Sequence, residues 1–322
     1  MDNPESIINI PSLDLNLFVN GNESERKGFI DALGKAYEDI GFAAIKNHFL
    51  PDELSQMLYD EAKAFFALDT SIKNKYSDPK LSGQRGYTGW GKEHAKGSSV
   101  GDLKEFWHFG QYVPENRKLE FGYPENIHVA ELPNFNKVGE QCYKLLEKTG
   151  KYMLRAMALY LKLDEHFFDN EIEFGNSILR PIHYAPITQE PPQGAVRAGQ
   201  HEDINLITLL MGASAEGLQI LTKDNRWVSV TSVENHLVVN VGDMLQRLTN
   251  NKFKSTTHRV VNPPKERWHE PRYSIPFFLH PRGDTRLDCL DSCIDLNHPK
   301  GYDDISAGEY LHERLVEIGL IK

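Results

Sequence analysis

The chain has 322 residues, of which 40% are hydrophobic and 25% charged, ordinary proportions for a globular protein with a sizeable core. Its net charge of −10 repels phosphate backbones and weighs against nucleic acid as a partner. Three cysteines, Cys142, Cys289 and Cys293, do not make a disulfide framework or a zinc ribbon, and no apolar run nears the roughly 18 residues of a membrane span.

The opening MDNPESIINI lacks the basic-then-apolar pattern of a signal peptide, so a cytoplasmic protein with no membrane partner is expected. Residues 24–41, SERKGFIDALGKAYEDIG, place Ile30, Leu33, Tyr37 and Ile40 on one helical stripe, with Ser24 as the expected cap and Gly41 as the stop. FAAIKNHF reads as a short strand. LPDELSQMLYDEAKAFFAL reads as a second helix with Pro51 near its start. Residues 81–110 mix seven glycines with Tyr87, Trp90, Phe106 and Trp107. Such a segment suits either a mobile lid over an active site or a long surface connection.

NFNKVGEQCYKLLEKTGKYMLRAMALYLKL has the pattern of a long helix. From about residue 177 the texture is strands: SILRPIHYA, NLITLLMG, LQILT, WVSVT, HLVVNVG, STTHRVV and RYSIPFFL. Many short strands at regular intervals predict a sandwich or barrel, with the jelly roll leading. Ser306 and Glu309 stand at capping-box spacing and open a C-terminal helix over 306–319. The expected organisation is one domain over 1–322. It is mainly β with flanking α-helices, a helix-and-strand region over about 1–110 packing on a core over about 175–285.

In RAGQHEDINLITLL, His201 and Asp203 are two apart, so on an extended chain they share a face while Glu202 turns away. Among 13 histidines, His258 in KSTTHRVVNPP is the best third ligand, in a second β-type segment 55 positions after Asp203. Two imidazoles and a carboxylate leave three positions on a metal, which suits non-haem Fe(II) handling O2 and a co-substrate. Zinc more often keeps a single open position. Arg272 and Ser274 are again two apart, 14 positions after His258, and an arginine fork with a hydroxyl makes a carboxylate receptor. The alternative is that Arg272 pairs with an acidic side chain of the protein. Phe278 shares the even-numbered side with Arg272 and is a candidate substrate contact, as are Gln246, Tyr87, Trp90 and Trp107. For the aromatic residues, core packing competes with that role. Arg197 either reads an acidic substrate group or lies solvated on the surface.

The ordered set HxD, His and Arg-x-Ser, with IPSLDL, GFAAIKNHFL, DLKEFWHFG, GLQIL and VVNVGDMLQRLTNNKFKSTTHRV around it, resembles the Fe(II)- and 2-oxoglutarate-dependent oxygenases of the isopenicillin N synthase-like branch. The resemblance implies a double-stranded β-helix, a jelly-roll and cupin-like form. It implies His201, Asp203 and His258 as iron ligands. It also implies Arg272, Ser274 and Tyr184 as the holders of the far carboxylate of 2-oxoglutarate. The implied chemistry is hydroxylation of a small molecule, or its desaturation or ring closure, with O2 consumed and succinate and CO2 released. Asp203 argues against a halogenase, which replaces that carboxylate. An oxidase of the isopenicillin N synthase kind, working without 2-oxoglutarate, is the nearest alternative. The tail LHERLVEIGLIK lacks the glutamine that enzyme carries. A non-catalytic jelly-roll binder and a zinc hydrolase are the other readings. The binder need not keep both Arg-x-Ser and the three ligands, and the hydrolase leaves Arg-x-Ser unexplained. Substrate identity and oligomeric state stay open.

Overall fold

The structure, a computed structural model, describes residues 7–317 apart from 9, 82, 93–102, 115, 118–122, 192–194, 213–216 and 231–234. Within the glycine-rich 81–110 segment, residues 82 and 93–102 therefore lie outside the described residues. The N-terminal part runs β1 (Ile7–Ile8), β2 (Ser12–Asp14), α1 (Leu15–Val19), α2 (Glu23–Asp39), β3 (Phe42–Lys46), α3 (Asp52–Phe66) and α4 (Thr70–Lys73). It continues through β4 (Gly86–Thr88), β5 (Glu105–His108), α5 (Pro133–Tyr160) and α6 (Asp169–Ile172). Next come β6 (Ile178–Leu179), β7 (Ile182–Tyr184), β8 (Ala198–His201), β9 (Ile207–Met211), β10 (Leu218–Leu221), β11 (Trp227–Val230) and β12 (Leu237–Val241). After α7 (Asp243–Leu248) follow β13 (His258–Val260), β14 (Arg272–Ser274), β15 (Pro276–Leu279) and α8 (Ala307–Glu317).

Among the described residues the strands form a five-stranded sheet β1-β11-β10-β13-β8, a six-stranded sheet β2-β3-β12-β9-β15-β6 and a four-stranded sheet β14-β7-β5-β4. The alternation of side chains along β3 explains the layering. Phe42 and Ala44 join Leu218, Ile220, Val228 and Val238 in an apolar layer between the five- and six-stranded sheets. Ala43 and Ile45 point the other way, into the larger core shared with α2, α3 and α5. The N-terminal region is thus woven into the core, with β3 pairing β12 and β5 pairing β7.

Two details differ from the sequence reading. The cap of α2 is Asn22, not Ser24: Asn22 accepts from Glu25 N at 3.1 Å and Glu25 returns a bond to Asn22 N at 2.9 Å. Ser24 lies inside the first turn. SILRPIHYA and RYSIPFFL are each two strands rather than one. Their N-terminal and C-terminal parts fall in different sheets, with Pro181 separating β6 from β7 and Pro276 opening β15. A proline lacks the N–H a central ladder needs. The chain turns a corner at both places, and Arg180 N donating to Pro276 O at 2.9 Å ties the two corners together.

Gly34 of α2 lies against the Tyr160 ring of α5, and a Cβ there would fall 2.2 Å from Tyr160 Cδ2. Gly34→Val should destabilise the fold by about 1–3 kcal/mol through overpacking, measured by urea denaturation. A midpoint equal to that of the wild type would contradict this close α2–α5 approach.

Candidate active site

β13 and β8 run antiparallel, and their register sets His258 opposite His201. The two rings are 4.4 Å apart between centroids. Asp203 does not share a strand face with His201, as strict alternation predicts, because β8 ends at His201 and the chain bends. The bend achieves the convergence instead. Asp203 Oδ1 lies 3.8 Å from His201 Nε2 and 3.7 Å from His258 Nε2. One ligand atom from each of the three residues lies within 4.8 Å of the others.

Each of these side chains is held through its other polar atom. His201 Nδ1 lies 2.7 Å from Gly199 O, and His258 Nδ1 lies 3.0 Å from Thr256 O. A carbonyl only accepts, so each ring carries its proton on Nδ1 and turns the Nε2 lone pair inward. Asp203 Oδ2 accepts from Thr208 Oγ1 at 2.6 Å and Asn240 Nδ2 at 2.8 Å. Thr208 of β9 and Asn240 of β12 are cross-strand partners, so one rung of the six-stranded sheet supplies both donors. Asp243 N, at the start of α7, donates to Asp203 O at 2.7 Å and fixes the backbone of the bend.

The electrostatics follow the geometry. Burial alone would raise the Asp203 carboxyl, but His258, His201, Asn240 and Thr208 hold it below the usual carboxylate range. Burial, then the neighbouring His258, lowers His201. A carboxylate beside a neutral imidazole is the protonation state a cation requires. Two imidazole nitrogens and one carboxylate oxygen on one side of a point fit Fe(II) with positions open for other ligands.

His201 and Asp203 adjoin a cavity of about 790 Å³, whose lining also includes Tyr87 and Phe278. Arg272, Ser274 and Tyr184 stand beside it. In the four-stranded sheet Arg272 faces Tyr184, Ser274 faces Ile182, and Ile182 also faces Phe106 of β5. Directly paired residues share a face, so all three lie on the face whose Phe106 lines the cavity. All three are buried, and the Arg272 guanidinium sits 4.9 Å over the Tyr184 ring.

Four candidate contacts are placed elsewhere. Trp107 is fully buried on the opposite face of that sheet, packed on Phe65 and Phe135 at 4.9 and 5.3 Å; it is core. Gln246 of α7 accepts from Ser255 N at 2.9 Å, bracing the segment that leads to His258. Trp90 is 43% exposed and meets the edge of His183 at 5.8 Å. Arg197 is neither solvated nor on the cavity wall: it is buried, lies 5.9 Å from the Tyr184 ring and donates to Glu270 O. Phe278 does line the cavity, though not by sharing a strand with Arg272, since β14 and β15 belong to different sheets. Glu202 also lines it, bonded to Thr257 Oγ1, and does not turn away.

Sequence reasoning missed Thr208 and Asn240. Asn240 is a lone amide in the apolar run LVVNV, and a buried amide needs a polar partner. It also missed Glu105, which is 1% exposed and accepts from Lys73, Tyr87 and His183 at 2.8, 2.5 and 2.7 Å. Burial opposes its ionisation, but these bonds hold its carboxyl low. The Tyr87 hydroxyl is thereby committed to Glu105.

Residues 175–281 match the family model of the 2OG-Fe(II) oxygenase superfamily, and residues 10–131 match the N-terminal model described as non-haem dioxygenase in morphine synthesis. Proline hydroxylase buaE of Petromyces alliaceus is 31% identical, over 96% of this chain and 99% of that protein. The crystal structure of a 2OG-Fe(II) oxygenase family protein from Caulobacter crescentus is 41% identical with a TM-score of 0.86, covering 98% and 99% of the two chains. A full-length Neurospora crassa protein, crystallised in complex with alpha-KG and thymine, is 28% identical with a TM-score of 0.84, covering 98% of each chain.

Thr208→Val removes one donor to Asp203 Oδ2 at nearly constant volume. It should weaken divalent-metal affinity by roughly tenfold to a hundredfold, measured by competition with a chromophoric chelator. Unchanged affinity would show that the Thr208 bond does not orient the carboxylate.

Proposed function

The chain belongs to the 2-oxoglutarate–Fe(II) oxygenase superfamily and is a non-haem dioxygenase with a jelly-roll core, and from that premise we propose how its residues divide the work. Fe(II) is its cofactor and 2-oxoglutarate its co-substrate. Iron, when bound, supplies O2 activation coupled to decarboxylation of 2-oxoglutarate to succinate and CO2. His201 and His258 would hold it through Nε2 and Asp203 through Oδ1. The observation that carries this is the commitment of both Nδ1 atoms and Oδ2 to protein partners, which leaves one ligating atom per residue.

Arg272, Ser274 and Tyr184 grip the far carboxylate of 2-oxoglutarate. Their shared face beside the cavity supports this, and so does chemistry. A buried guanidinium that shares its sheet face with two hydroxyl-bearing residues offers several donors to the oxygens of one carboxylate. Glu105, Lys73 and His183 lie on the other face of that sheet and keep its strands in place.

The substrate is a small molecule. The cavity falls within the range of small-ligand sites, and its wall carries Phe106, Ile178 and Phe278. Hydroxylation is the outcome that needs least positioning; desaturation or ring closure requires only another placement of the same carbon. The whole chain works as one oxygenase unit, because β3 and β5 from the N-terminal part complete sheets built by the C-terminal part. Three free thiols suit a reducing, cytoplasmic setting. Among the described residues no helix is long and apolar enough to cross a membrane.

Arg272→Gln should raise the KM for 2-oxoglutarate by about tenfold to a hundredfold, the loss of a charge-assisted pair, with Fe(II) affinity unchanged. Coupled succinate release reads the first quantity and anaerobic metal titration the second. A KM equal to that of the wild type would remove Arg272 from the co-substrate site.

A further inference from the structure

One rung of the six-stranded sheet crosses the site: Asn240 pairs with Thr208, Thr208 with Phe278 and Phe278 with Ile178. Thr208 and Asn240 hold Asp203, whereas Phe278 and Ile178 line the cavity. Two residues further in the same direction stand His280 and Asn176, and both line that cavity. At the rise of a strand this is about 7 Å beyond the rung that holds Asp203. The backbones of the two segments are locked together. His280 N donates to Ser177 Oγ at 3.1 Å, Ser177 Oγ donates to His280 O at 3.3 Å, and Asn176 N donates to Pro281 O at 3.2 Å. Gly175 permits the approach, because a Cβ there would fall 2.2 Å from His280 O.

The two side chains are not used by the fold. Among the described residues no protein group hydrogen-bonds the Asn176 amide or the His280 ring, although His280 is 8% exposed and its Nδ1 is fully buried. A buried polar group left unpaired calls for an explanation. His201 and His258 differ, since carbonyls at Nδ1 fix their tautomers. Nothing at Nδ1 selects the tautomer of His280, so its Nε2 can donate or accept as a ligand demands. Burial outweighs the influence of Asp203 and, with Arg180, pushes this ring down to about 4, so it is neutral. Asn176 brings a donor and an acceptor and no charge. An ionised group set against this pair would give up water and meet no counter-charge from it. A neutral polar group exchanges water bonds for protein ones. A carboxamide carries its donor and acceptor on two atoms and can engage both side chains at once, which the single oxygen of a hydroxyl does less well.

We propose that Asn176 and His280 are substrate-binding residues that select a small neutral carboxamide, its amide held between them and its apolar body along Ile178 and Phe278, with the carbon to be oxidised turned toward His201 and Asp203. This rests on the dioxygenase reading above and names the substrate class for the same cavity. Ser177 is a positioning residue, acting only through the backbone of His280.

The test is anaerobic calorimetry on the Fe(II) protein with 2-oxoglutarate bound. The probes are butanamide, hexanamide, benzamide and δ-valerolactam, each against its matched carboxylate and methyl ester, with hexanol as the hydroxyl control. At least one amide should bind the wild type, and its carboxylate, its ester and the alcohol should bind about tenfold more weakly or worse. Asn176→Leu and His280→Phe should each weaken that amide by about fivefold to tenfold and erase the preference over the ester, with 2-oxoglutarate affinity and melting temperature unchanged. His280→Gln, which keeps a donor and an acceptor, should recover most of the binding. Asn176→Leu, at a partly exposed position, decides the matter if His280→Phe does not fold. The proposal is overturned if no amide binds the wild type, if the carboxylate, ester or alcohol binds as well, or if the amide binds Asn176→Leu and His280→Phe as it binds the wild type. Failure of the wild type to bind 2-oxoglutarate would strike the dioxygenase reading, and the same amide series on the metal-free protein would still decide this one.

Discussion

The site depends on a single carboxylate being held by one oxygen so that the other is left over. Asp203 sits in a bend, where a short side chain would otherwise sample several rotamers. Thr208 and Asn240 take Oδ2, and the backbone bond from Asp243 to Asp203 holds the bend itself. Oδ1 is then fixed beside two imidazoles whose own protons are committed to carbonyls. An ionised carboxylate buried without partners would be costly. Here the two donors to Oδ2 offset part of that cost before any cation arrives.

That arrangement makes the sheet architecture necessary. His201 and His258 can face each other only because β8 and β13 are antiparallel neighbours. Thr208 and Asn240 can reach one oxygen together only because β9 and β12 pair in that register. The two histidines come from the five-stranded sheet and the donors to Asp203 from the six-stranded one, so the apolar layer between those sheets sets the distance across the site. A one-residue slip in either register would turn a ligand or a donor to the wrong face. The corners at Pro181 and Pro276 do similar work. The first carries the chain from the six-stranded sheet into the four-stranded one and the second carries it back, leaving Arg272 and Ser274 on β14 and Arg180 at the cavity's edge.

Much of this is legible in the sequence where chemistry is scarce. His201, Asp203 and His258 stand out because metal-ligand side chains at strand spacing have few other uses, and the jelly roll follows from many short apolar runs. Asp203 is found for a partly wrong reason, since alternation assumes a strand where the chain bends. Trp107 and Gln246 are misplaced because an aromatic or an amide near a glycine-rich segment or a turn serves packing as readily as binding. One sequence cannot say which face of a strand meets helices. Thr208, Asn240 and Glu105 are invisible because their roles arise from cross-strand pairing.

The most direct measurement of the central claim is anaerobic titration of Fe(II) into the wild type and into His258→Ala, followed by saturating 2-oxoglutarate and a visible absorption spectrum. The wild type should bind one equivalent of iron and develop a charge-transfer band with 2-oxoglutarate, and His258→Ala should lose both. Stoichiometric iron and an undiminished band in His258→Ala would show that the three side chains do not together hold the metal.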